Sequence, residues 1–157
     1  VVEAGLASDP VAFATNTLVL VMPAGNPGGV EGLADLADPD LTVVLCAPEV
    51  PCGAASQTLL DDAGVVASVD SVEQNVTAVL TKVAAGEADA GLVYVTDARA
   101  TDAVEAIEVD GADAVVNTYP IVALDDAADA EVAAAFVAFV TSEDGRAVLA
   151  ELGFGAP

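Results

Sequence analysis

The sequence predicts an α/β fold built on a largely parallel sheet, and three observations carry this prediction. Short, continuous apolar runs such as 17–22 and 41–46 are typical of strands that are buried on both faces. Segments with apolar residues at helical spacing alternate with these runs along the chain. Glycine and proline separate the two kinds of segment, which is the alternation expected of an α/β protein.

The first half of the chain predicts two buried strands, each followed by a helix. Residues 1–15 are expected to form a loop or a short helix that leads into the first strand. Turn-forming residues at 24–29 and 47–51 separate the elements. The expected elements are a strand at 17–22, a short helix at 30–37, a strand at 41–46 and a helix at 53–63 that Gly64 closes.

The second half continues the alternation. A helix of about eleven residues, with Val76, Val79, Leu80 and Val83 on one stripe, is expected to end at Gly86. In the tail, Phe136, Phe139 and Val140 are expected to form the apolar stripe of a helix. The remaining expected elements are strands at 65–69, 90–94, 104–109 and 119–124 and helices at 128–140 and 143–152.

Composition excludes several classes of function. Apolar residues make up 55% of the chain, so a core is expected, and the formal charge of -23 includes only three basic residues. A chain without a basic patch is a poor partner for nucleic acid or for anionic membranes. There is no histidine, which removes the usual general base and the commonest metal ligand. No apolar run approaches the roughly 18 residues that a membrane span needs.

The predicted topology directs attention to three junctions. Open parallel sheets bind ligands beyond the carboxyl ends of their strands, where helix N-termini point. The junctions of that kind follow Cys46, precede Val76 and follow Tyr94. A binding site is therefore expected where these three segments meet.

The first junction has the sequence of a helix start. Pro51 fits the first helical position, and Gly53 would let a ligand approach the backbone closely. The N–H groups of Cys52, Gly53 and Ala54 are expected to be free, and free N–H groups at a helix N-terminus attract anions. The simpler interpretation is an ordinary capped helix, because every helix has such an end.

The two cysteines, Cys46 and Cys52, lie six positions apart across this turn. A disulfide is sterically feasible at that spacing and would indicate an oxidising compartment. The competing interpretations are a catalytic nucleophile and a metal-binding pair. A nucleophile would normally need a histidine or a cationic neighbour, and a metal pair would need further soft ligands. We expect the disulfide, with both alternatives open at this point.

The second junction offers two competing helix starts. Ser71 and Gln74 have the spacing of a capping box, whereas Asn75 as the N-cap would leave the N–H of Val76 free for an anion. At the third junction, Tyr94 ends a predicted strand. Its hydroxyl could point into a cleft, although a buried structural tyrosine is the more common case.

Taken together, these segments resemble the periplasmic molybdate-binding proteins of ABC importers. Their order and spacing match the family over nearly the whole chain, and the part from 71 to 97 is the most specific. The segments that carry the resemblance are Phe13-Ala-Thr-Asn-Thr-Leu-Val-Leu-Val21, Cys46-Ala-Pro-Glu-Val-Pro-Cys-Gly53, Ser71-Val-Glu-Gln-Asn-Val76, Val79-Leu-Thr-Lys-Val-Ala-Ala-Gly-Glu-Ala-Asp-Ala-Gly-Leu-Val-Tyr-Val-Thr-Asp97, Tyr119-Pro-Ile121 and Gly153-Phe154.

The resemblance implies a type II periplasmic-binding fold with two lobes and a mixed, mostly parallel sheet in the second lobe. Residues 1–17 would form the end of a first-lobe segment and the crossover, and 18–117 the complete second lobe. The return strand and C-terminal helices of the first lobe would occupy 118–157. The family's two serine-bearing segments from the N-terminal part of the first lobe have no counterpart here. That part is expected to have been truncated or cleaved, or to lie in another chain.

The resemblance also implies a site and a function. The family binds its oxyanion with uncharged donors, and these fall on the N–H groups of Cys52 and Val76 and on the hydroxyl of Tyr94. Gly53 and Asn75 are further expected ligand-binding residues. The expected ligand is molybdate or tungstate, with no separate cofactor and no other metal. The expected partner is the membrane permease of an ABC importer. The expected location of the chain is periplasmic or extracytoplasmic, with attachment by a lipid anchor on the missing N-terminal part left open.

Three other functions compete with this interpretation. The first is a receptor for another oxyanion such as sulfate, which has the same charge and the same need for donors. The second is the effector-sensing domain of a transcription regulator, which can share the fold. The third is a hydrolase that uses Cys52, which the lack of histidine disfavours.

Overall fold

The computed structural model describes residues Val1–Pro157, which divide into two units. Unit 1 combines Val1–Asn16 with Asn117–Pro157, and unit 2 is the continuous segment Thr17–Val116. The chain contains seven strands and five α-helices, and strands alternate with α-helices from the third strand to the sixth. None of the helices has the length and hydropathy that crossing a membrane requires.

The strands are β1 (Val11–Asn16), β2 (Leu18–Pro23), β3 (Val43–Cys46), β4 (Val69–Glu73), β5 (Ala90–Tyr94), β6 (Val104–Ile107) and β7 (Asn117–Ile121). The α-helices are α1 (Pro51–Ala63), α2 (Val76–Ala84), α3 (Val95–Arg99), α4 (Ala130–Val140) and α5 (Glu143–Glu151). Two short 3-10 helices cover Leu33–Ala37 and Ala112–Ala114.

Unit 2 is built on a five-stranded mixed sheet with the order β4-β3-β5-β2-β6. β3 pairs in parallel with both β4 and β5, while β2 runs antiparallel to β5 and β6. Four of the five strands therefore point in one direction, and the expected mixed, mostly parallel sheet is confirmed.

The core of unit 2 surrounds the central strands of this sheet. Every residue of β2 and β5 is buried, as their continuous apolar sequences predict. Val79 and Val83 of α2 pack into the same core, together with Leu59 of α1. The apolar face of each helix thus holds its N-terminus in a fixed place relative to the sheet.

Unit 1 contains an antiparallel pair, β1 and β7, with the helices α4 and α5. Tyr119 lies 6.3 Å from Phe13 and 5.7 Å from Phe154 between ring centroids, so three aromatic rings pack together in this unit. Helix α4 buries none of its residues, and Phe136 and Phe139 are 60% and 55% exposed. The apolar stripe predicted for this helix therefore exists but is not part of a core here.

Several sequence predictions about the elements are wrong. The strand expected at 65–69 lies at Val69–Glu73, because pairing with β3 selects the more polar segment as an edge strand. Residues 11–16 form β1, although the sequence suggested a loop or a short helix there. The short helix α3 was not predicted, and the strands expected at 104–109 and 119–124 lie at 104–107 and 117–121.

Candidate functional site

The three junctions that the sequence singled out lie at one edge of the sheet in unit 2. β3, β4 and β5 run in the same direction, and Cys46 at the end of β3 lies opposite Glu73 at the end of β4. Because the carboxyl ends of parallel strands share an edge, the helices that follow these strands begin there as well. Those helices are α1, α2 and α3.

Helix α1 begins at Pro51, which fills the first helical position, and Val50 precedes it in an extended conformation. The N–H groups of Gly53 and Ala54 both donate to the carbonyl oxygen of Val50, at 3.0 Å each. The prediction that these two groups are free is therefore wrong, because the first turn closes tightly on itself. The N–H of Cys52 has no acceptor in the chain, so it is the donor that α1 leaves available.

The expected disulfide is present between Cys46 and Cys52, with their Cα atoms 5.7 Å apart. It leaves no free cysteine, so neither a thiolate nucleophile nor a cysteine metal site is available. No group of three or more potential metal-ligating side chains exists elsewhere in the chain. Both cysteines are buried, and the bridge joins the last residue of β3 to the second residue of α1.

Gly53 is required by packing within the chain. A β-carbon at this position would lie 1.9 Å from the carbonyl oxygen of Ala47 and 2.8 Å from that of Cys46. Such distances are far inside van der Waals contact, so no other residue fits without moving the helix. The close approach that the sequence suggested therefore exists, but the group that approaches Gly53 is the backbone after β3.

At the second junction, Asn75 is the N-cap of α2, and its side-chain oxygen accepts from the N–H of Ala78 at 2.9 Å. This resolves the choice between the two helix starts, and the capping box based on Ser71 is wrong because Ser71 lies within β4. The N–H groups of Val76 and Thr77 have no acceptor in the chain. They are the unpaired donors of the first turn of α2.

Two contacts connect the loop before α1 with the residues before α2. The N–H of Ala47 donates to the carbonyl oxygen of Glu73 at 2.8 Å, which extends the ladder between β3 and β4. The side-chain amide of Gln74 donates to Oε1 of Glu49 at 3.2 Å. The backbone N–H of Glu49 and the Gln74 amide lower the pKa of the Glu49 carboxyl. No sequence pattern indicated the contact between Glu49 and Gln74, because the two residues are 25 positions apart.

At the third junction, Tyr94 ends β5, and its side chain is 7% exposed. Its N–H donates to Oδ2 of Asp97 at 3.3 Å, which caps the start of α3. Burial raises the pKa of the Asp97 carboxyl, and the hydrogen bond from Tyr94 partly opposes this shift. A half-buried carboxyl group thus fixes the backbone at the end of β5.

The basic residues of unit 2 are engaged or exposed. Nζ of Lys82 forms an ion pair with Glu73 and a 3.1 Å hydrogen bond with Ser71. The hydrogen bond from Lys82 lowers the pKa of the Glu73 carboxyl, against the opposing effect of partial burial. Arg99 is exposed in the last turn of α3. Because Lys82 is engaged and Arg99 lies at the C-terminal end of α3, an anion at the sheet edge would be held by dipoles of N–H and O–H groups.

Two cavities of unit 2 are lined by residues adjacent to these donors. One of about 460 Å³ is lined by residues 17–19, Val95 and 108–113. Another of about 300 Å³ is lined by residues of β3, α1 and β4 and of the loops between them, including Cys46, Gly53 and Leu60. Neither is lined by Cys52, Val76 or Tyr94. Cys52 and Tyr94, including the Tyr94 hydroxyl, are buried, and Val76 is half-buried.

Comparison with known proteins gives a consistent set of relatives. A family profile described as bacterial extracellular solute-binding protein matches residues 1–155. Molybdate-binding protein ModA of Mycobacterium tuberculosis, and that of Mycobacterium bovis, are each 45% identical over 159 aligned residues, which cover all of this chain. The chain spans 61% of the length of these curated relatives.

Solved structures show the same fold. The substrate-binding domain of a putative molybdenum ABC transporter from Clostridium difficile matches with a TM-score of 0.80 and 25% identity, over 99% of this chain and 70% of that one. The periplasmic molybdate-binding protein of Azotobacter vinelandii matches with a TM-score of 0.77 and 19% identity, over 99% of this chain and 72% of that one.

Proposed function

Because this chain belongs to the bacterial extracellular solute-binding protein family, we propose that it forms part of a receptor that captures molybdate or tungstate. The expected family resemblance and the type II periplasmic-binding fold are confirmed by the relatives and structural neighbours. We further propose that 18–117 forms the second lobe of that fold and that 1–17 and 118–157 belong to the first. The curated relatives are longer, so the complete receptor activity is proposed for the full-length gene product.

The observation that supports this proposal is that two helices with unpaired first-turn N–H groups begin at the same sheet edge. The N–H groups of Cys52 and Val76 have no acceptor, and each belongs to the first turn of a helix that starts at that edge. Tyr94 ends the neighbouring strand. A helix N-terminus stabilises negative charge through its unpaired N–H groups and its dipole. We assign the two N–H groups and the Tyr94 hydroxyl as the oxyanion donors of unit 2.

Gly53 and Asn75 have supporting roles in this proposal. Gly53 donates its N–H to Val50, so its contribution is the close packing that seats the start of α1 against β3. Asn75 engages the N–H of Ala78 and leaves those of Val76 and Thr77 unpaired, of which Val76 is the assigned donor. These two residues therefore orient the donors of the first turns of α1 and α2.

The chemistry of the donors favours a fully deprotonated tetrahedral dianion. Such an anion accepts hydrogen bonds at every oxygen and needs only donors. Protonated phosphate would also need a nearby acceptor for its own hydrogen. Two carboxylates at the junctions already accept hydrogen bonds from within the chain. That of Glu49 accepts from the side chain of Gln74, and that of Asp97 accepts from the N–H of Tyr94. Molybdate, tungstate and sulfate fit this donor set equally in charge.

The remaining parts of the proposal follow from the family. The relatives are solute-binding proteins, and we propose that this chain acts as a receptor and catalyses no reaction. Its proposed partner is the permease of an ABC importer, and its proposed location is extracytoplasmic. Attachment through a lipid anchor stays a prediction. The relatives do not favour a sulfate receptor or a regulator domain over a molybdate receptor.

Isothermal titration of the full-length gene product with molybdate, tungstate and sulfate tests this function. We expect saturable binding of molybdate and tungstate at micromolar protein and much weaker binding of sulfate. If sulfate binds more tightly than molybdate, the proposed ligand is wrong and the chain belongs to a sulfate receptor instead. An absence of heat with all three anions, together with an unshifted melting temperature, would contradict the proposal altogether.

A further inference from the structure

We propose that the Cys46–Cys52 disulfide and the Glu49–Gln74 hydrogen bond fix the spacing between the two backbone donors and thereby determine which size of tetrahedral oxyanion binds best. This inference rests on the proposed function and concerns residues that act through the donors. We call these four residues the donor brace. None of them needs to touch the anion through its side chain.

The first half of the donor brace holds the donor of α1. The disulfide joins Cys52, whose N–H is the proposed donor, directly to the last residue of β3. The next residue, Gly53, packs so closely on Ala47 that a β-carbon on Gly53 would lie 1.9 Å from the carbonyl oxygen of Ala47. The first turn of α1 is therefore attached to β3 by a covalent bond and by a packing contact at adjacent positions.

The second half connects this turn to the donor of α2. Ala47 is hydrogen-bonded to Glu73, and Glu49 to Gln74, so two successive residues before α2 are held by the loop before α1. Asn75 follows and caps α2, and Val76 is the next residue. A continuous path of bonds thus runs from the Cys52 N–H through the ends of β3 and β4 to the Val76 N–H.

The charge state of Glu49 strengthens this path at neutral pH. Its pKa is lowered by its own backbone N–H and by the Gln74 amide, so the carboxylate is ionised when it accepts from Gln74. Hydrogen bonds to an ionised acceptor are stronger than neutral ones. Both side chains are exposed, so the contact can be removed without disturbing the core.

Rigid spacing between donors is a physical basis for size selection. Molybdate and sulfate carry the same charge and the same tetrahedral set of acceptors, but molybdate is the larger anion. Donors held at one separation fit one size, whereas donors that can relax adapt to both. Loosening the donor brace should therefore weaken binding of the preferred anion and reduce its preference over the other.

The test measures dissociation constants for molybdate and sulfate by isothermal titration of the full-length gene product. Gln74→Ala removes one link, and Gln57→Ala, a change of the same kind at an exposed position of α1, is the matched control. We expect the molybdate-to-sulfate preference to fall several-fold in Gln74→Ala and to stay at the wild-type value in Gln57→Ala. A merely structural role for Gln74 would lower the melting temperature and leave this preference unchanged.

The disulfide is tested in the same way with the double variant Cys46→Ala/Cys52→Ala and with wild-type protein in which thiol titration shows the bridge to be reduced. The reduced protein keeps the test valid where the double variant does not fold. A lower preference in both Gln74→Ala and the bridge-free protein is the expected result. Wild-type preference in either one, measured on folded protein, would overturn the inference. Wild-type protein that binds no oxyanion would instead overturn the proposed function.

Discussion

Gly91 and Val79 lie so close that a β-carbon on Gly91 would be 2.8 Å from Cγ1 of Val79. The same β-carbon would lie 2.8 Å from the carbonyl oxygen of Val44 in the neighbouring strand. Val79 is fully buried in α2, so this contact sets how closely the helix approaches the sheet. The position of the α2 N-terminus therefore depends on a glycine in β5.

The first prediction is that Gly91→Ala destabilises the protein by about 1–3 kcal/mol, the usual cost of overpacking a core. Urea unfolding followed by circular dichroism would measure the change in midpoint. Gly32→Ala is the matched control, because nothing lies within 4 Å of the position that its β-carbon would occupy. Equal midpoints for the two variants would show that α2 shifts without cost.

The second prediction concerns the ion pair between Lys82 and Glu73. The hydrogen bond from Lys82 lowers the pKa of Glu73 from its ordinary value of 4.5, so the folded state favours the ionised carboxylate. The pair therefore contributes stability above pH 4.5, and this contribution is lost as the pH falls through the lowered pKa of the folded state. Glu73→Gln should be less stable than wild type at pH 7 and should approach it in acid.

Unfolding midpoints measured between pH 7 and acid conditions would check this dependence. Glu87→Gln, at an exposed position just after α2, controls for the general effect of removing one negative charge from an acidic protein. A constant difference between Glu73→Gln and wild type across this range would contradict the assignment.

The third prediction concerns Asp97, for which the expected dependence of stability on pH has the opposite sign. Burial raises the pKa of this carboxyl above its ordinary value of 3.8, so ionisation costs more in the folded state than in the unfolded state. Wild-type stability should therefore fall, through this group, as the pH rises from 3.8 through the raised pKa. Asp97→Asn keeps an oxygen that can accept from the N–H of Tyr94 and should remove this decrease.

The measurement is the unfolding midpoint of Asp97→Asn relative to wild type as a function of pH. We expect the relative stability of the variant to increase from acid to neutral pH. Asp113→Asn, at an exposed position after β6, is the control for the loss of charge. A difference that does not vary with pH would indicate that Asp97 acts only as a helix cap.

The sequence predicted those elements whose local signals agree with their tertiary surroundings. β2 and β5 are buried on both faces, so an apolar run was sufficient evidence for each. Pro51 and Gly64 mark the two ends of α1 as sequence rules expect. β4 was misplaced because the apolar residues Val65 and Val66 lie in a loop, while pairing with β3 makes Val69–Glu73 a strand.

Parts of the site could not be predicted, because they depend on contacts that are distant in sequence. The local sequence supported both possible starts of α2 equally. Only the structure shows that the side chain of Asn75 accepts a hydrogen bond from the N–H of Ala78. The hydrogen bonds of Gly53 and Ala54 with Val50 depend on the tightness of one turn. The contact between Glu49 and Gln74 appears only when β3 and β4 are side by side.

The last prediction tests the donor assigned to the third junction. Tyr94→Phe removes one hydroxyl and keeps the ring, so the buried position at the end of β5 remains filled. If that hydroxyl binds the oxyanion, the loss of one hydrogen bond to a charged ligand should weaken binding by about 1–3 kcal/mol, or roughly 5- to 150-fold in Kd.

Titration of the full-length gene product with molybdate would measure this loss. Tyr119→Phe is the matched control, because Tyr119 is the other tyrosine of the chain and packs between Phe13 and Phe154 in unit 1. We expect Tyr119→Phe to keep the wild-type Kd, since its ring carries the contacts that the structure shows. An unchanged Kd in Tyr94→Phe would remove the hydroxyl from the donor set and leave the two helix N-termini as the anion contacts of unit 2.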